Sequence, residues 1–417
     1  MKKWKPLRTE FYESAVQMGF YGKEDSGLTG KKDNVRKFWE DVFIKLLCRP
    51  YIENLNIQSK KLRILDLGSG SGESFELLTH IPPTNPNESV HKDFILKPVE
   101  IEKYYGLDIS PSMISQGRLN YRDFSNVTFE HCNLEDGLTP SILKDKPFDM
   151  YFSTYGSLSH LNPEQFKFLS GQIFKHAGRG SIFIFDIHGK YSPSWPKYWA
   201  ETKQMLPYTM AYLLPPDRRD AEKLDWFNLC FWDTVKLKEA LNVAAKSAGC
   251  ELNYLHMLDR SIFTGRHIDT GILSNSPMPL RYQVNRLLDH GYRGEVEHLK
   301  IDLSHLEEFK NFNLKAWERL CDYQRKWNRV IYLLEALMHN EDVKVKEFIE
   351  NTNIELMSDD LKFITWLFRN ADRFPVVDYW ASIIGPQVAV VLRNLEMSYT
   401  EGVGCGHGLV CAVEILK

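Results

Sequence analysis

The sequence predicts an α/β protein: a doubly wound, mainly parallel sheet with a helical cap before it and a mostly helical block after it. Three observations carry this expectation. Short apolar runs rich in branched residues (Leu62 to Leu67, Tyr104 to Ile109, Met150 to Ser153, Ser181 to Ile187) alternate with helix-periodic segments. Such alternation implies parallel strands joined by crossover helices. The first run opens into a glycine-rich turn and the second into a capped helix start, so ligand-binding turns fall at strand ends. After about Asp269 the pattern changes. Leu314, Trp317, Leu320, Trp327, Ile331, Leu334 and Met338 recur at three- or four-residue steps, the spacing of one long amphipathic helix.

The remaining elements follow in order. Asp33 to Leu55 reads as a helix, with Val35, Phe38, Trp39, Val42, Phe43, Leu46 and Leu47 at helical spacing. Met18 to Lys32, with four glycines, reads as a loop before it, and the Pro-rich stretch from Ile81 to Asp93 as a surface insertion. Val127 to Glu130 is a short strand. Val235 to Ala248 is a helix closed by Gly249, and a strand starts at Glu251. Val343 to Ile349 and Leu361 to Phe368 add helices, and alternating glycines from Gly402 to Gly408 precede a final strand at Leu409 to Leu416. The expected division is a cap over 1–60, a ligand-binding sheet over 61–268 completed by 409–416, and a helical block over 269–404.

Composition narrows the function classes. Of 417 residues, 43% are apolar and 13% aromatic, which supports a folded core and argues against disorder. Lys and Arg number 52 against 55 Asp and Glu, a formal charge of −3 that does not favour nucleic acid as a partner. Seven scattered cysteines form no Cys-x-x-Cys pair, so neither a disulfide framework nor a zinc ribbon is expected. No histidine–carboxylate spacing points to a metal. No apolar run approaches the roughly 18 residues of a membrane span, and no signal peptide follows the basic start, so the chain reads as soluble and cytoplasmic. The oligomeric state is left open.

The chemistry concentrates in Ile64-Leu65-Asp66-Leu67-Gly68-Ser69-Gly70-Ser71-Gly72. Alternating glycines after a strand let backbone approach a ligand, and the next helix offers free N–H groups. A dinucleotide site wants Gly-x-Gly-x-x-Gly, whereas here the third glycine comes early and Glu73 stands where glycine should. Asp66 points instead to a cationic ligand group. In Gly106-Leu107-Asp108-Ile109-Ser110-Pro111 a carboxylate ends the second strand before an N-cap serine and an N1 proline. Such a carboxylate can accept hydrogen bonds from two vicinal hydroxyls.

Together with Cys132-Asn133-Leu134-Glu135-Asp136, these segments resemble the motifs of class I S-adenosylmethionine-dependent methyltransferases over roughly residues 61–190. The resemblance implies a seven-stranded sheet whose last two strands form an antiparallel hairpin. It implies S-adenosylmethionine as cofactor. Asp66, Gly68, Ser69, Gly70 and Gly72 would sit at its amino-acid end, Asp108 and Ile109 at the ribose, and Asn133 and Leu134 at the adenine, with Ser153 after the fourth strand also in contact. His160 and His188, beyond the fourth and fifth strands, are the candidates for catalysis or for structure, and Tyr155 for a substrate wall.

Arg266 and His267, within Thr264 to Thr270, read either as a substrate anchor or as a solvated loop. With His407 they would border the ligand face if Leu409 to Leu416 is the seventh strand, and the helical block would then lie over the site as a lid. The expected reaction is in-line methyl transfer to a small-molecule acceptor. Transfer of the cofactor's aminocarboxypropyl arm is an alternative, as is a regulatory cofactor-binding protein.

Overall fold

A computed structural model describes residues 35–57, 61–84, 94–209, 226–265, 279–350, 355–399 and 401–417, together with Val16 and Leu273. The loop expected over 18–32 and most of the 81–93 insertion lie outside the described residues.

The parallel heart of the sheet comprises β1 (Leu62–Leu67), β2 (Ile101–Asp108), β3 (Val127–His131), β4 (Met150–Ser153) and β5 (Ile182–Gly189), in the order β3-β2-β1-β4-β5. Every residue of β1, β4 and β5 is buried, as expected for strands covered on both faces. Side chains alternate across the sheet. Leu65, Leu67, Phe183 and Phe185 pack on one face against the helices α4 (Pro163–His176) and α5 (Thr234–Ala248). Ile64, Phe152 and Ile184 pack on the other against α1 (Asp41–Ile57) and α2 (Glu73–Thr79). Local chemistry starts the helices. The Ser110 hydroxyl accepts the Met113 N–H at the head of α3 (Pro111–Asn120), and the Asp233 carboxylate accepts the Lys236 N–H at the head of α5.

The far edge departs from seven strands. The expected hairpin exists: β8 (Glu251–Arg260) runs antiparallel to β9 (Gly408–Leu416), which is antiparallel to β5. Two further strands raise the sheet to nine: β6 (Met205–Thr209) and β7 (Trp226–Trp232), antiparallel to each other. The β4–β5 pairing ends at Ser153–Phe185, and β7 joins β5 further on, at His188 and Gly189. Because β9 already occupies the other edge of β5 as far as His188, β7 takes the side that β4 leaves. It therefore extends the sheet past the carboxyl ends of the strands, where ligands of such sheets bind.

The C-terminal block contains α6 (Leu280–Arg286), α7 (Leu314–Met338), α8 (Asp342–Glu350), α9 (Glu355–Arg369) and α10 (Gly385–Met397). It buries its apolar faces with Val35, Trp39, Ile262 and Phe263, and Trp39 stacks on Trp327 at 6.1 Å. Its packing is thus directed at the cap helix and the end of β8.

Candidate active site

A cavity opens at the carboxyl ends of β1, β2, β4 and β5. Its floor is the glycine turn. Gly68 has φ +74°, and a Cβ there would stand 2.4 Å from the Ser157 Cβ, so only glycine fits. The Gly68 and Ser69 N–H groups both donate to the Leu107 carbonyl, which hooks the turn onto the end of β2. The Gly70 N–H donates to Asp108 Oδ2 at 2.9 Å and the Ser110 N–H to Oδ1 at 2.8 Å. Burial raises the Asp108 pKa, and those two N–H groups oppose the rise. Asp108, Ile109, Asn133 and Leu134 all line the cavity, with Gly68, Ser69 and Gly70.

Asp66, Gly72 and Ser153 do not line it. Asp66 is fully buried and accepts the Tyr104 hydroxyl; burial lifts its pKa to about 7, against that hydrogen bond. The Gly72 carbonyl accepts the Tyr121 hydroxyl at 2.7 Å, and the Ser153 hydroxyl donates to the Leu67 carbonyl at 2.7 Å. All three brace the turn from behind. Arg266 and His267 lie outside the described residues. No described residue of 269–404 lines the cavity, so the expected lid is not seen there; the apolar faces of the block are turned to the cap helix instead.

One end of the cavity is charged. Arg36 and Glu40, from the π-helical turn Arg36–Glu40 that leads into α1, line it with Glu73, Tyr155 and Arg260. Arg36 pairs with Asp41 at 2.9 Å and lies 3.1 Å above the Tyr155 ring, whose hydroxyl donates to Asp41. The Arg260 guanidinium donates to Asp186 Oδ2 from Nη2 at 2.6 Å and approaches Glu40 Oε1 from Nη1 at 3.0 Å. Burial alone would lower the Arg260 pKa, yet Asp186 and Glu40 hold it above its ordinary value.

The other end is made of rings. His160 stacks on Phe227 with centroids 5.5 Å apart, and Tyr208 lies 5.5 Å from Phe227. His188 stacks on Trp195 at 5.9 Å and meets His407 at 5.0 Å. The His188 ring nitrogens face the Ser159 hydroxyl at 3.2 Å and the Tyr208 hydroxyl at 3.1 Å. Burial pushes the His160 pKa down to about 4; burial, then His160 and Arg260, push His188 to about 3. Both are neutral imidazoles at neutral pH. The loop between the two ends is tightly set. Tyr155 holds φ +57°, and a Cβ on Gly156 (φ +81°) would stand 2.2 Å from His188 Cε1.

Sequence reasoning missed Arg36, Glu40, Glu73, Tyr208, Phe227 and Arg260 as lining residues. The signals were present. Arg36 and Glu40 interrupt an apolar helix face at i, i+4. Trp226 to Trp232 has the aromatic density of a strand, and Arg260 ends a strand four residues before the cluster that drew attention.

The described residues fit S-adenosylmethionine. Ser69 Oγ and Glu73 Oε1 are buried at the cavity without hydrogen-bond partners among the described residues, as suits a site for an ammonium group. Residues 58–227 match the family model of a methyltransferase domain. Over that stretch the chain is similar to methyltransferase domains, which agrees with the glycine turn and Asp108 as a site for S-adenosylmethionine. No curated protein sequence matches the chain.

Similar solved structures include an S-adenosylmethionine-dependent methyltransferase from Clostridium acetobutylicum ATCC 824 (14% identity, 60% of this chain and 91% of that one, TM-score 0.35). Another is from Mesorhizobium loti (17%, 51% and 82%, TM-score 0.33). The CcbJ methyltransferase from Streptomyces caelestis is a third (14%, 48% and 75%, TM-score 0.32). No helix among the described residues is long and apolar enough to cross a membrane.

Proposed function

We propose that this chain transfers the methyl group of S-adenosylmethionine in line to a small-molecule acceptor held against the ring-lined end of the cavity. The observation that carries this reading is the continuity of one cavity from Asp108 and the glycine turn to His160 and Phe227. Asp108 would take the ribose hydroxyls, and Ile109, Asn133 and Leu134 the adenine. Ser69 and Glu73 would receive the ammonium group, and Arg36 the carboxylate. When bound, the sulfonium supplies an already activated methyl group. The protein's own work is then to position the acceptor and keep water out. Tyr155, wedged beneath Arg36, and His188, held by Ser159 and Tyr208, keep that geometry fixed. His407 belongs to the acceptor wall. Enclosure by protein and a near-neutral charge favour a small acceptor over nucleic acid. In this reading 61–268 with 409–416 bind the cofactor, 1–60 cap it, and 269–404 brace the cap, in a cytoplasmic protein.

Product analysis tests it. Incubation with S-adenosylmethionine and a metabolite panel should release S-adenosylhomocysteine. Methylthioadenosine as the product would establish aminocarboxypropyl transfer instead, and tight cofactor binding with no turnover would favour a regulatory protein.

A further inference from the structure

We infer that the helical block takes part in the cofactor site: Arg281 and Asn285 of α6 clamp the π-helical turn Arg36–Glu40 and so set how firmly the cofactor's amino-acid arm is held. This rests on the methyltransferase reading above.

The turn is unusual in itself. The Asp41 N–H reaches the Arg36 carbonyl, closing a ring one residue wider than an α-helix would. Such turns are rare, and they occur often at functional sites. This one brings both Arg36 and Glu40 to the wall of the cavity.

Both ends of the turn are gripped from one helix. Asn285 Oδ1 accepts the Val35 N–H at 2.5 Å, just before the turn, and Arg281 Nη1 donates to Glu40 Oε1 at 2.9 Å, at its last residue. Standing four residues apart, Arg281 and Asn285 share a face of α6. The same Arg281 nitrogen also donates to the Thr264 carbonyl at 2.5 Å, beyond the end of β8. From α10, Arg393 Nη1 donates to the Phe38 carbonyl at 3.1 Å, and Trp39 stacks on Trp327 of α7. Val35, Phe38, Trp39 and Glu40 are thus held by the block, while Arg36 lies over Tyr155 at the cavity. Neither Arg281 nor Asn285 lines the cavity, so both act through the turn as positioning residues.

Charge points the same way as geometry. Besides Arg281, the buried Glu40 Oε1 meets Arg260 Nη1 at 3.0 Å and accepts the Ser261 hydroxyl at 2.6 Å. Removing Arg281 takes away one buried cation and leaves the Glu40 charge less compensated at the cavity wall. In the reading above, Arg36 takes the cofactor's carboxylate. A displaced Arg36 and a less compensated Glu40 both weaken the hold on that anion. The Asp108 carboxylate is fixed separately, by the Gly70 and Ser110 amides.

The test is calorimetry on the full-length protein with two ligands that differ in the amino-acid arm. S-adenosylhomocysteine carries the arm and methylthioadenosine lacks it. Arg281→Met should weaken S-adenosylhomocysteine binding about tenfold, Arg281→Lys less, and Asn285→Ala, which removes a hydrogen bond but no charge, about threefold. Methylthioadenosine should bind each variant within about twofold of the wild type, which also shows that the variants fold. Arg36→Met should give the same split between the ligands. Arg369→Ala, at an exposed pair with Asp342 elsewhere in the block, should change neither affinity.

Unchanged S-adenosylhomocysteine affinity in Arg281→Met or in Asn285→Ala, while Arg36→Met loses it, overturns the inference and leaves the methyltransferase reading standing. Equal weakening of both ligands overturns it too, since that marks a general loosening. So does an effect of Arg369→Ala as large as that of Arg281→Met. Failure of the methyltransferase reading would appear in the wild type, which would then bind neither ligand.

Discussion

The two ends of the cavity are built on opposite plans. The end at Asp108 is mostly backbone: the Gly70 and Ser110 amides fix the carboxylate, and the Leu107 carbonyl fixes the turn. Its residues come from short contiguous stretches. The ring-lined end is all side chain, assembled from β5, β6, β7, the loop after β4 and the entry to β9. In the proposed reading, a cofactor site made of hydrogen-bonded turns tolerates change around it, whereas an acceptor site made of packed rings can be reshaped one ring at a time. On that reading, constancy of chemistry lies at one end and choice of substrate at the other.

The sharpest way to break this division is Gly156→Ala, at the seam between the two ends. A Cβ at φ +81° and 2.2 Å from His188 Cε1 must displace that imidazole. We expect methyl transfer to fall by about 100-fold or more, since small misplacements at a reacting centre carry that cost, together with a lower melting temperature. Retained activity in a steady-state assay would show that His188 can move without harm.

Asp108→Ala should weaken S-adenosylhomocysteine binding by about 10- to 100-fold, from hydrogen bonds to a charged group worth about 1.5–3 kcal/mol each. Calorimetry reads this directly, and binding of an acceptor probe to the variant should change far less.

Tyr208→Phe leaves a His188 nitrogen buried without its hydroxyl, at a cost of about 1–3 kcal/mol. A melting temperature lower by a few degrees is expected, with cofactor affinity unaltered. An equal loss of both would join the two ends into one unit.

The smallest effect concerns pH. Burial raises the Glu396 carboxyl on α10 to about 7, and Glu40 adds to that rise. Its folded pKa exceeds the unfolded value of about 4.3, so its contribution to stability is full below that and lost as pH rises through about 7. Glu396→Gln should therefore flatten the fall in melting temperature from pH 5 to 8. The histidines of the ring end have the opposite sign. Their folded pKa values lie below about 6.5, so they cost stability only as pH falls through about 6.5 toward 4. A melting curve across pH separates the Glu396 carboxyl behind the cavity from the histidines of the ring end.

How much of this was legible in the sequence follows the same division. Leu62–Leu67 and Met150–Ser153 are strands over the residues expected, because fully buried parallel strands show as unbroken apolar runs. Gly68, Gly70 and Asp108 could be placed because turn chemistry is local. Met205–Thr209 could not, being short and interrupted by Pro207, and its partner Trp226–Trp232 adds to the sheet only through a two-residue junction with β5. Arg36 and Glu40 resisted for another reason. On a helix, charges within an apolar face look like imperfections until the buried guanidinium of Arg260 is seen to meet one of them.

The place of β9 bears on how the protein is made. It fills the gap between β5 and β8, although its residues are synthesised almost 150 positions after β8 ends. Until residues 408–416 emerge from the ribosome, both neighbouring strands lack this backbone partner, and unpaired strand edges are a template for pairing with another chain. Such late, distant pairing is slow. The helical block encoded in between can fold first, so nascent chains would depend on shielding of those edges more than their finished stability suggests.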